Sequence, residues 1–453
     1  MKISFDCADK INGLLTMTIE AADYQEAVEK TLKNYRKKAQ VPGFRPGMVP
    51  MGMIKKQYGT AVKVEEVNKL LSEKLYAYIQ ENNIKMLGEP LPNQEKQVPQ
   101  DFEKDADLTF VFDIAVAPEF QAELSSKDKI DYYTIKVEDK LIDDQVQMYA
   151  SQAGEFVKAD VFSGNDTITG DLRELDENGN TKEGGITTEG GMVMPAYIKA
   201  EDQKKLFDGA KSGDIITFNP KKAYPDNDAE VAALLKMQKD DVKDLNADFS
   251  YQITEIRHFQ PAEVNQQLFD RVFGEGTVTD EKAFREKIAA TIAPQLQQNS
   301  DYKFLLDVRK YMEEKVGKLE FPEALLKRVM LQNNKDKGAD YVEKNFEGSI
   351  HELGWHLIKE QLVSANNIKV EESDLKAVAK EAIRAQFAQY GMSNVPDDVL
   401  ENYAGEQLKK RENIDNFVDR AIDQKLTETL KNVVKLNQKE VTLEEFNKLM
   451  SEK

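Results

Sequence analysis

The stretch His351-Glu352-Leu353-Gly354-Trp355-His356 comes nearest to metal chemistry in this sequence. A zinc-hydrolase helix sets two imidazoles four residues apart, so that both face one ion. Here the interval is five, which turns the second ring about 140° away around a helix, and the two cannot share a metal. Asp176-Glu177-Asn178-Gly179-Asn180 hints at a calcium loop, but its glycine comes early and no bidentate glutamate follows at the right place, so it reads as a hairpin turn. Phosphate-binding loops, dinucleotide fingerprints and nucleophile elbows are missing, which leaves hydrolase, kinase and dehydrogenase readings without support. The single cysteine, Cys7, rules out an internal disulfide framework and a multi-cysteine zinc site. Neither a cofactor nor a metal is expected.

The remaining chemistry is charge. The chain has 453 residues, with 81 acidic and 62 basic side chains and a net charge of −19. Such a chain does not coat DNA along its length, so any nucleic-acid contact must be local. From Lys30 to Lys63 there is no acid at all, while Lys30, Lys33, Arg36, Lys37, Lys38, Arg45, Lys55, Lys56 and Lys63 fall there. The centre of this basic patch is QVPGFRPGMVPMGMIKKQYG, with three prolines, four glycines, and Phe44 and Arg45 near its tip.

Two helices must hold that loop. Tyr24, Val28, Leu32 and Tyr35 recur at helical spacing before it; Val64, Val67, Leu71, Leu75 and Tyr78 do so after it. Pro50 suits a helix start, because it lacks only an N–H that would be unbonded there. Strands flank the pair: Leu15, Met17 and Ile19 alternate, and so do Leu108, Phe110, Phe112, Ile114 and Val116.

The length suggests about three domains, and the pattern divides as follows. Residues 1–115 form an α+β domain. Residues 116–155 form a connector with a polar strand and a helix around Ile142 to Tyr149. Residues 156–260 form a small β-rich domain with clustered glycines. Residues 261–453 form an almost wholly helical domain, with a helix start at Pro322-Glu323. No apolar run approaches the roughly 20 residues of a membrane helix, so no membrane partner is expected. The first ten residues carry early acids and no apolar core, and so do not read as a secretory signal. The cytoplasm is the expected home.

GFRPGMVP, Gly43 to Pro50, resembles the ribosome-docking signature of trigger factor, the bacterial ribosome-associated chaperone. FDIAVAPEF resembles that family's exit from its first domain, and KEVTLEEFNKLM its closing helix. The resemblance implies a multidomain α+β protein. Its parts are an N-terminal ribosome-binding domain, a central isomerase domain of the FK506-binding-protein type, and an all-α arm domain against which the connector packs. It implies docking at the mouth of the ribosomal exit tunnel through Gly43, Phe44, Arg45, Pro46 and Gly47, aided by Lys37 and Lys38. Partners would be an exit-tunnel ribosomal protein, nearby rRNA, and nascent or unfolded polypeptides. Relatives can form a homodimer when free, so the resemblance admits a second copy of the chain as a partner. The family usually carries a basic residue where this sequence has Pro46.

In the central domain the resemblance assigns a proline-binding pocket to Tyr197, Tyr224 and Phe249. Other pocket landmarks are missing: Leu172 replaces an aromatic residue, and TKEGG replaces a Phe-Asp pair. Isomerase activity is therefore expected to be weak or absent. Met330, Leu331, Phe387, Tyr390, Met392 and Val395 are the candidate client-facing residues of the arms. The resulting reading is an ATP-independent chaperone at the ribosome. Its rivals are a free peptidyl-prolyl isomerase with helical accessory domains and a periplasmic chaperone of similar build.

Overall fold

The structure, a computed structural model, describes residues 1–451 apart from positions 46, 391, 393 and 394. It divides into two compact units, residues 1–133 with 301–439 and residues 134–300 with 440–453.

The first unit opens with β1 (Lys2–Asp6), β2 (Asn12–Ile19), α1 (Ala21–Lys38), α2 (Met51–Glu81), β3 (Leu91–Pro92) and β4 (Leu108–Ala115). The strands form an antiparallel sheet in the order β1-β2-β4-β3. On β2 the alternation holds: Leu15, Met17 and Ile19 are fully enclosed. They pack against Tyr24, Val28 and Leu32 of α1 and Ile54, Val62, Val67, Leu71, Leu75 and Ile79 of α2. The Asp23 carboxylate accepts the Glu20 N–H at 2.8 Å, which satisfies a free donor at the start of α1. Arg36, Lys37 and Lys38 sit in its last turn, where the helix dipole favours cations. β5 (Lys129–Ile135) follows.

On β4 the simple alternation fails. Val111 and Ala115 are buried as well as Leu108 and Ile114, so side chains on both faces of the strand are covered. The cover near Ala115 comes from the distant segment 323–333, described below.

The second unit contains α3 (Asp139–Gln152), β6 (Glu155–Ala159), β7 (Thr167–Glu174), β8 (Thr187–Val193), α4 (Glu201–Lys204), β9 (Ile215–Phe218), α5 (Pro220–Ala223), α6 (Asp228–Leu235), β10 (Phe249–Gln260) and α7 (Gln266–Phe273). Its sheet runs β6-β10-β7-β8, with β9 on β10, all antiparallel. The segment from Asp176 to Asn180 is a hairpin turn, as the sequence suggests. Asp176 Oδ1 accepts the N–H groups of Asn178 and Asn180, and Gly179 takes φ +81°. Beside this sheet, Ile142 and Val146 of α3 pack with Leu268 and Phe269 of α7 and with Phe284 and Ile288, early in α8 (Glu281–Val316).

The later chain gives α9 (Glu323–Asn333), α10 (Gly338–Ala365), α11 (Glu372–Gln389), α12 (Asp397–Leu408), α13 (Arg411–Val433), β11 (Lys435–Val441) and α14 (Leu443–Ser451). Leu325, Leu326 and Val329 of α9 pack with Leu91 and Ala115 of the first sheet and with Ala117 just beyond it. Arg328 fixes the contact by donating to Asp113 Oδ2 at 2.7 Å and to the Pro92 carbonyl at 3.0 Å. The second half of α8 joins α10, α13 and β5 in one core, through Phe304, Val308, Met312, Trp355, Ile358, Leu426, Leu430, Ile130 and Tyr132. β11 pairs with β5, so the chain before the central domain returns to the helical part. Helices α11 to α13 form a separate cluster around Val378, Ile383, Leu400, Phe417 and Ala421.

KEVTLEEFNKLM is not helical throughout. Lys439 to Val441 end β11, and the helix starts after Thr442. Thr442 Oγ1 accepts the Glu445 N–H, and the Glu445 carboxylate accepts the Thr442 N–H. This reciprocal cap stops the helix from extending backwards.

Candidate docking loop and isomerase-like domain

The segment between α1 and α2 is built from two turns. The Phe44 N–H donates to the Val41 carbonyl at 3.0 Å, and Gly43 has φ +88°. Proline then glycine at the two inner positions is the type II pattern, where only the second needs positive φ. The Met48 N–H donates to the Arg45 carbonyl at 2.9 Å, with Gly47 at φ +86°. Among the described residues, nothing beyond the chain neighbours lies within 4 Å of where a Cβ would stand at Gly43 or Gly47. Backbone sign, not crowding, requires these glycines. Pro46, another expected docking residue, lies outside the described residues.

The base of the loop is pinned and its tip is free. Ala39, Val49 and Ile54 are buried in the domain core. Arg36 Nε donates to the Val49 carbonyl at 2.8 Å and ties α1 to the far side of the loop. Phe44 keeps 40% of its surface exposed, and Arg45 is exposed beside it. A large apolar ring and a guanidinium at the end of a braced loop suit an anchor for another molecule.

The nine-cation patch is smaller than the sequence suggests. Lys63 is buried and donates to Asp105 Oδ1 at 2.6 Å and to the Lys104 carbonyl at 3.1 Å, with its ammonium 5.5 Å from the Tyr24 ring centre. Arg36 is committed to Val49. Lys33 and Lys55 both lie near Glu29, at 4.0 and 3.9 Å. Lys30, Lys37, Lys38, Lys56 and Arg45 make no ion pair among the described residues and are exposed. Structure has taken some of the charge for its own use, and five cations stay available.

In the second unit, the three assigned pocket residues have different surroundings. Phe249 is fully buried and Tyr224 nearly so, while Tyr197 is 69% exposed at the end of the short helical turn Pro195–Tyr197. Burial, and then the charge of Glu230, pushes the Tyr224 hydroxyl up to about 12. Leu172 is also fully enclosed in this core. The centre belongs to Phe207, Phe218 and Tyr251, whose rings meet edge to face at 5.3, 5.8 and 6.2 Å. The Tyr251 hydroxyl donates within reach of two buried carbonyls, Ile168 and Gly191, both at 2.9 Å. Burial, reinforced by Tyr224 and Asp171, pushes its pKa far above the ordinary tyrosine value. Gly170 and Gly191 face each other across β7 and β8. A Cβ at Gly170 would lie 2.4 Å from the Gln252 carbonyl oxygen and 2.8 Å from the Tyr251 ring, so this glycine is needed for close approach.

The client-facing candidates also separate. Met330 packs against the α9 core, and Phe387 meets Tyr403 edge to face at 5.4 Å. Val395 packs against the α11–α13 cluster. Leu331 and Met392 are exposed, and Tyr390 is 74% exposed just after α11. His351 accepts from Arg309 Nη2 at 2.7 Å within an ion cluster with Glu313 and Glu352. Among the described residues no group of three potential ligands could hold a metal ion. No described helix is long and apolar enough to cross a membrane.

Comparison with known proteins agrees along the whole chain. Residues 1–149 match the family model described as bacterial trigger factor protein. Residues 156–261 match the model of the probable trigger factor FKBP-like domain, and residues 300–450 that of the probable trigger factor C-terminal domain. The chain belongs to the trigger factor family. The trigger factor of Chlorobaculum tepidum is 24% identical over 94% of this chain and 95% of its own length. That of Marinobacter nauticus is 24% identical over 89% of each chain, and that of Pelagibacter ubique 23% over all of this chain and 90% of its own. A solved structure titled for the trigger factor chaperone aligns over 95% of the chain at 15% identity, with a TM-score of 0.49.

Within this trigger factor framework, sequence reasoning missed Tyr251, Phe207 and Phe218 as the centre of the FKBP-like core. One signal was available. Tyr251 lies two residues after Phe249 on an alternating strand, so both must face inward together. It also counted Lys63 as surface charge. Its position between the apolar residues Val62 and Val67 on α2 was the available hint.

Proposed function

We propose that this chain is a ribosome-associated, ATP-independent chaperone that docks through the Phe44–Arg45 tip and receives nascent polypeptides as they emerge. The single observation that carries the docking reading is the braced double turn, which exposes one aromatic ring and one guanidinium beside unpaired lysines. Family membership supports the wider function. The cytoplasm, where nascent chains emerge, is the location that fits. The domains act in the order 1–115 for docking, 156–260 as the FKBP-like module, and 261–453 with the connector 116–155 as the chaperone body. Lys37 and Lys38 add attraction to nearby rRNA phosphate. Leu331, Tyr390 and Met392, exposed on the arms, are the apolar contacts for clients. Met330 and Phe387 back them from within.

The FKBP-like module has weak or no isomerase activity in this reading. Tyr224, Phe249 and Leu172 are spent on the core, and the exposed Tyr197 alone does not enclose a proline. Without an enclosing wall, ground and twisted states are held alike, and uniform binding does not speed the step.

Ribosome co-sedimentation of Phe44→Ala with Arg45→Ala tests the docking site. Binding should fall at least tenfold while the melting profile stays unchanged, because exposed loop substitutions rarely affect stability. Undiminished co-sedimentation would remove the site.

A further inference from the structure

Among the described residues, no strand pairs with the outer edge of β4 from Leu108 to Val111, because β3 stops at Phe112 and Asp113. Pairing with β2 uses the inner edge along the whole strand. The N–H and carbonyl groups of Thr109 and Val111 therefore face outward, yet all of them are met. The Val111 carbonyl accepts the Asn93 N–H at 2.8 Å. Side-chain amides take the others. The Thr109 N–H donates to Gln100 Oε1 at 2.9 Å, and the Val111 N–H to Gln97 Oε1 at 2.8 Å. Gln97 Nε2 donates to the Thr109 carbonyl at 3.4 Å. One amide thus bridges the carbonyl of Thr109 and the N–H of Val111, as a residue of a parallel partner strand would.

This false strand is lightly held. At its ends, Asn93 Nδ2 donates to Asp113 Oδ1 at 2.6 Å, and Phe102 packs against the domain core. Between them, among the described residues, the Gln97 and Gln100 amides make the only hydrogen bonds from residues 94–101 to the sheet. Val98, midway, is 64% exposed. An incoming main chain can replace the amides bond for bond and release two long side chains from fixed rotamers. An edge read through main-chain groups accepts an extended polypeptide of almost any sequence. An unfolded chain offers free N–H and carbonyl groups; a folded protein keeps its strand edges covered.

We propose that the outer edge of β4 is a strand-addition site for an extended, unfolded polypeptide, closed at rest by the amides of Gln97 and Gln100. The proposal rests on the reading that this chain receives unfolded polypeptides. It adds a site that reads the main chain, separate from the Phe44–Arg45 tip and from the exposed apolar residues of the helices.

The test uses the full chain and two synthetic peptides with the same alternating threonine–valine sequence and lysines at the ends for solubility. One is plain; the other is N-methylated at every residue, which keeps the side chains and abolishes strand pairing. Hydrogen exchange is read at the Thr109 and Val111 amides, with the Leu15 and Met17 amides of β2 as a check on the sheet. Gln97→Ala with Gln100→Ala should speed exchange at Thr109 and Val111 roughly tenfold in the free chain. It should also tighten binding of the plain peptide roughly fivefold, since no cap competes. Saturating plain peptide should restore slow exchange in the variant, and slow it further in the parent at higher concentration. The methylated peptide should protect neither. Exchange at Thr109 and Val111 that ignores the plain peptide in both proteins overturns the proposal. Equal protection by both peptides would show capture through side chains and overturn it too. So would a variant that covers its edge only by associating with itself, which would assign the amides to keeping copies apart. If the variant loses protection in β2, the peptide titration of the parent decides alone. Suppression of client aggregation by the parent separates the two readings: if it persists while the peptide test fails, only the edge site falls, and if it is absent, the wider chaperone reading falls.

Discussion

Asp128→Asn tests whether β5 is fastened to the helical body through one carboxylate. The side chain is almost fully enclosed. Oδ1 accepts from Lys315 Nζ at 2.7 Å and from the Tyr311 hydroxyl at 2.8 Å; Oδ2 accepts the Ser125 N–H at 2.7 Å and the Ser125 hydroxyl at 3.1 Å. Its main-chain carbonyl accepts the Lys435 N–H at 2.8 Å, where β11 begins. Burial alone would raise its pKa. The Lys315 ammonium, the Tyr311 hydroxyl and the Ser125 donors outweigh that and lower it from 3.8 to about 2. At about 1.4 kcal/mol per pH unit, that gap is worth roughly 1–2 kcal/mol once solvent screening is allowed for. The folded-state value lies below the unfolded one. The stability is therefore complete above 3.8 and is lost as pH falls from there through about 2. Asparagine presents an NH₂ where only acceptors fit and removes the countercharge of Lys315, at a cost of about 3 kcal/mol. Trp355, the sole tryptophan, lies in the same core. Urea unfolding followed by its fluorescence should show a lower midpoint for the variant at pH 7. From pH 5 down to 2.5 the parent midpoint should fall more steeply than that of the variant. An unchanged midpoint at pH 7 would refute the fastening role.

Three further outcomes are expected. Lys63→Met should destabilise the first domain by about 2 kcal/mol in denaturant unfolding, through loss of its charged hydrogen bonds and its place over Tyr24, and leave ribosome affinity unchanged; a ribosome-binding defect with intact stability would return Lys63 to the docking patch. Tyr251→Phe should cost the FKBP-like domain about 1–3 kcal/mol by stranding the Ile168 and Gly191 carbonyls, read as a lower unfolding midpoint of that domain; an unchanged midpoint would show that both carbonyls find other donors. In a proline-limited refolding assay the chain should give little or no acceleration while still suppressing aggregation of an unfolded client, and robust turnover abolished by Tyr224→Ala would show a working pocket.

Much of this was legible where one buried face governs a short segment. Leu15, Met17 and Ile19 announce β2 because a half-buried strand must alternate. The Pro/Gly-rich loop stands out between two helical patterns, and Gly43 and Gly47 take the positive φ that few other residues adopt. Other features depend on segments far away in sequence. β4 has buried side chains on both faces, and near Ala115 the cover is α9, some 200 residues later. Its own residues do not show that cover coming. β11 reads KLNQKEV, a polar run with helix formers. It is a strand because β5 is there to pair with it. Lys63 looks like surface charge until the segment carrying Lys104 and Asp105 is folded over it. The FKBP-like domain aligned by landmark residues, yet the aromatic centre at Tyr251 is set by the room that glycines leave across the sheet, which landmarks do not encode.

The most direct measurement is a site-specific photocrosslink. A photoreactive phenylalanine analogue is placed at Phe44, with the same probe at Tyr390 as a comparison, and the chain is bound to ribosomes before irradiation. The account predicts an adduct between position 44 and a ribosomal component even on ribosomes without a nascent chain, whereas position 390 captures the nascent polypeptide. Ribosome-bound chain that crosslinks to the ribosome from position 390 and never from position 44 would contradict it.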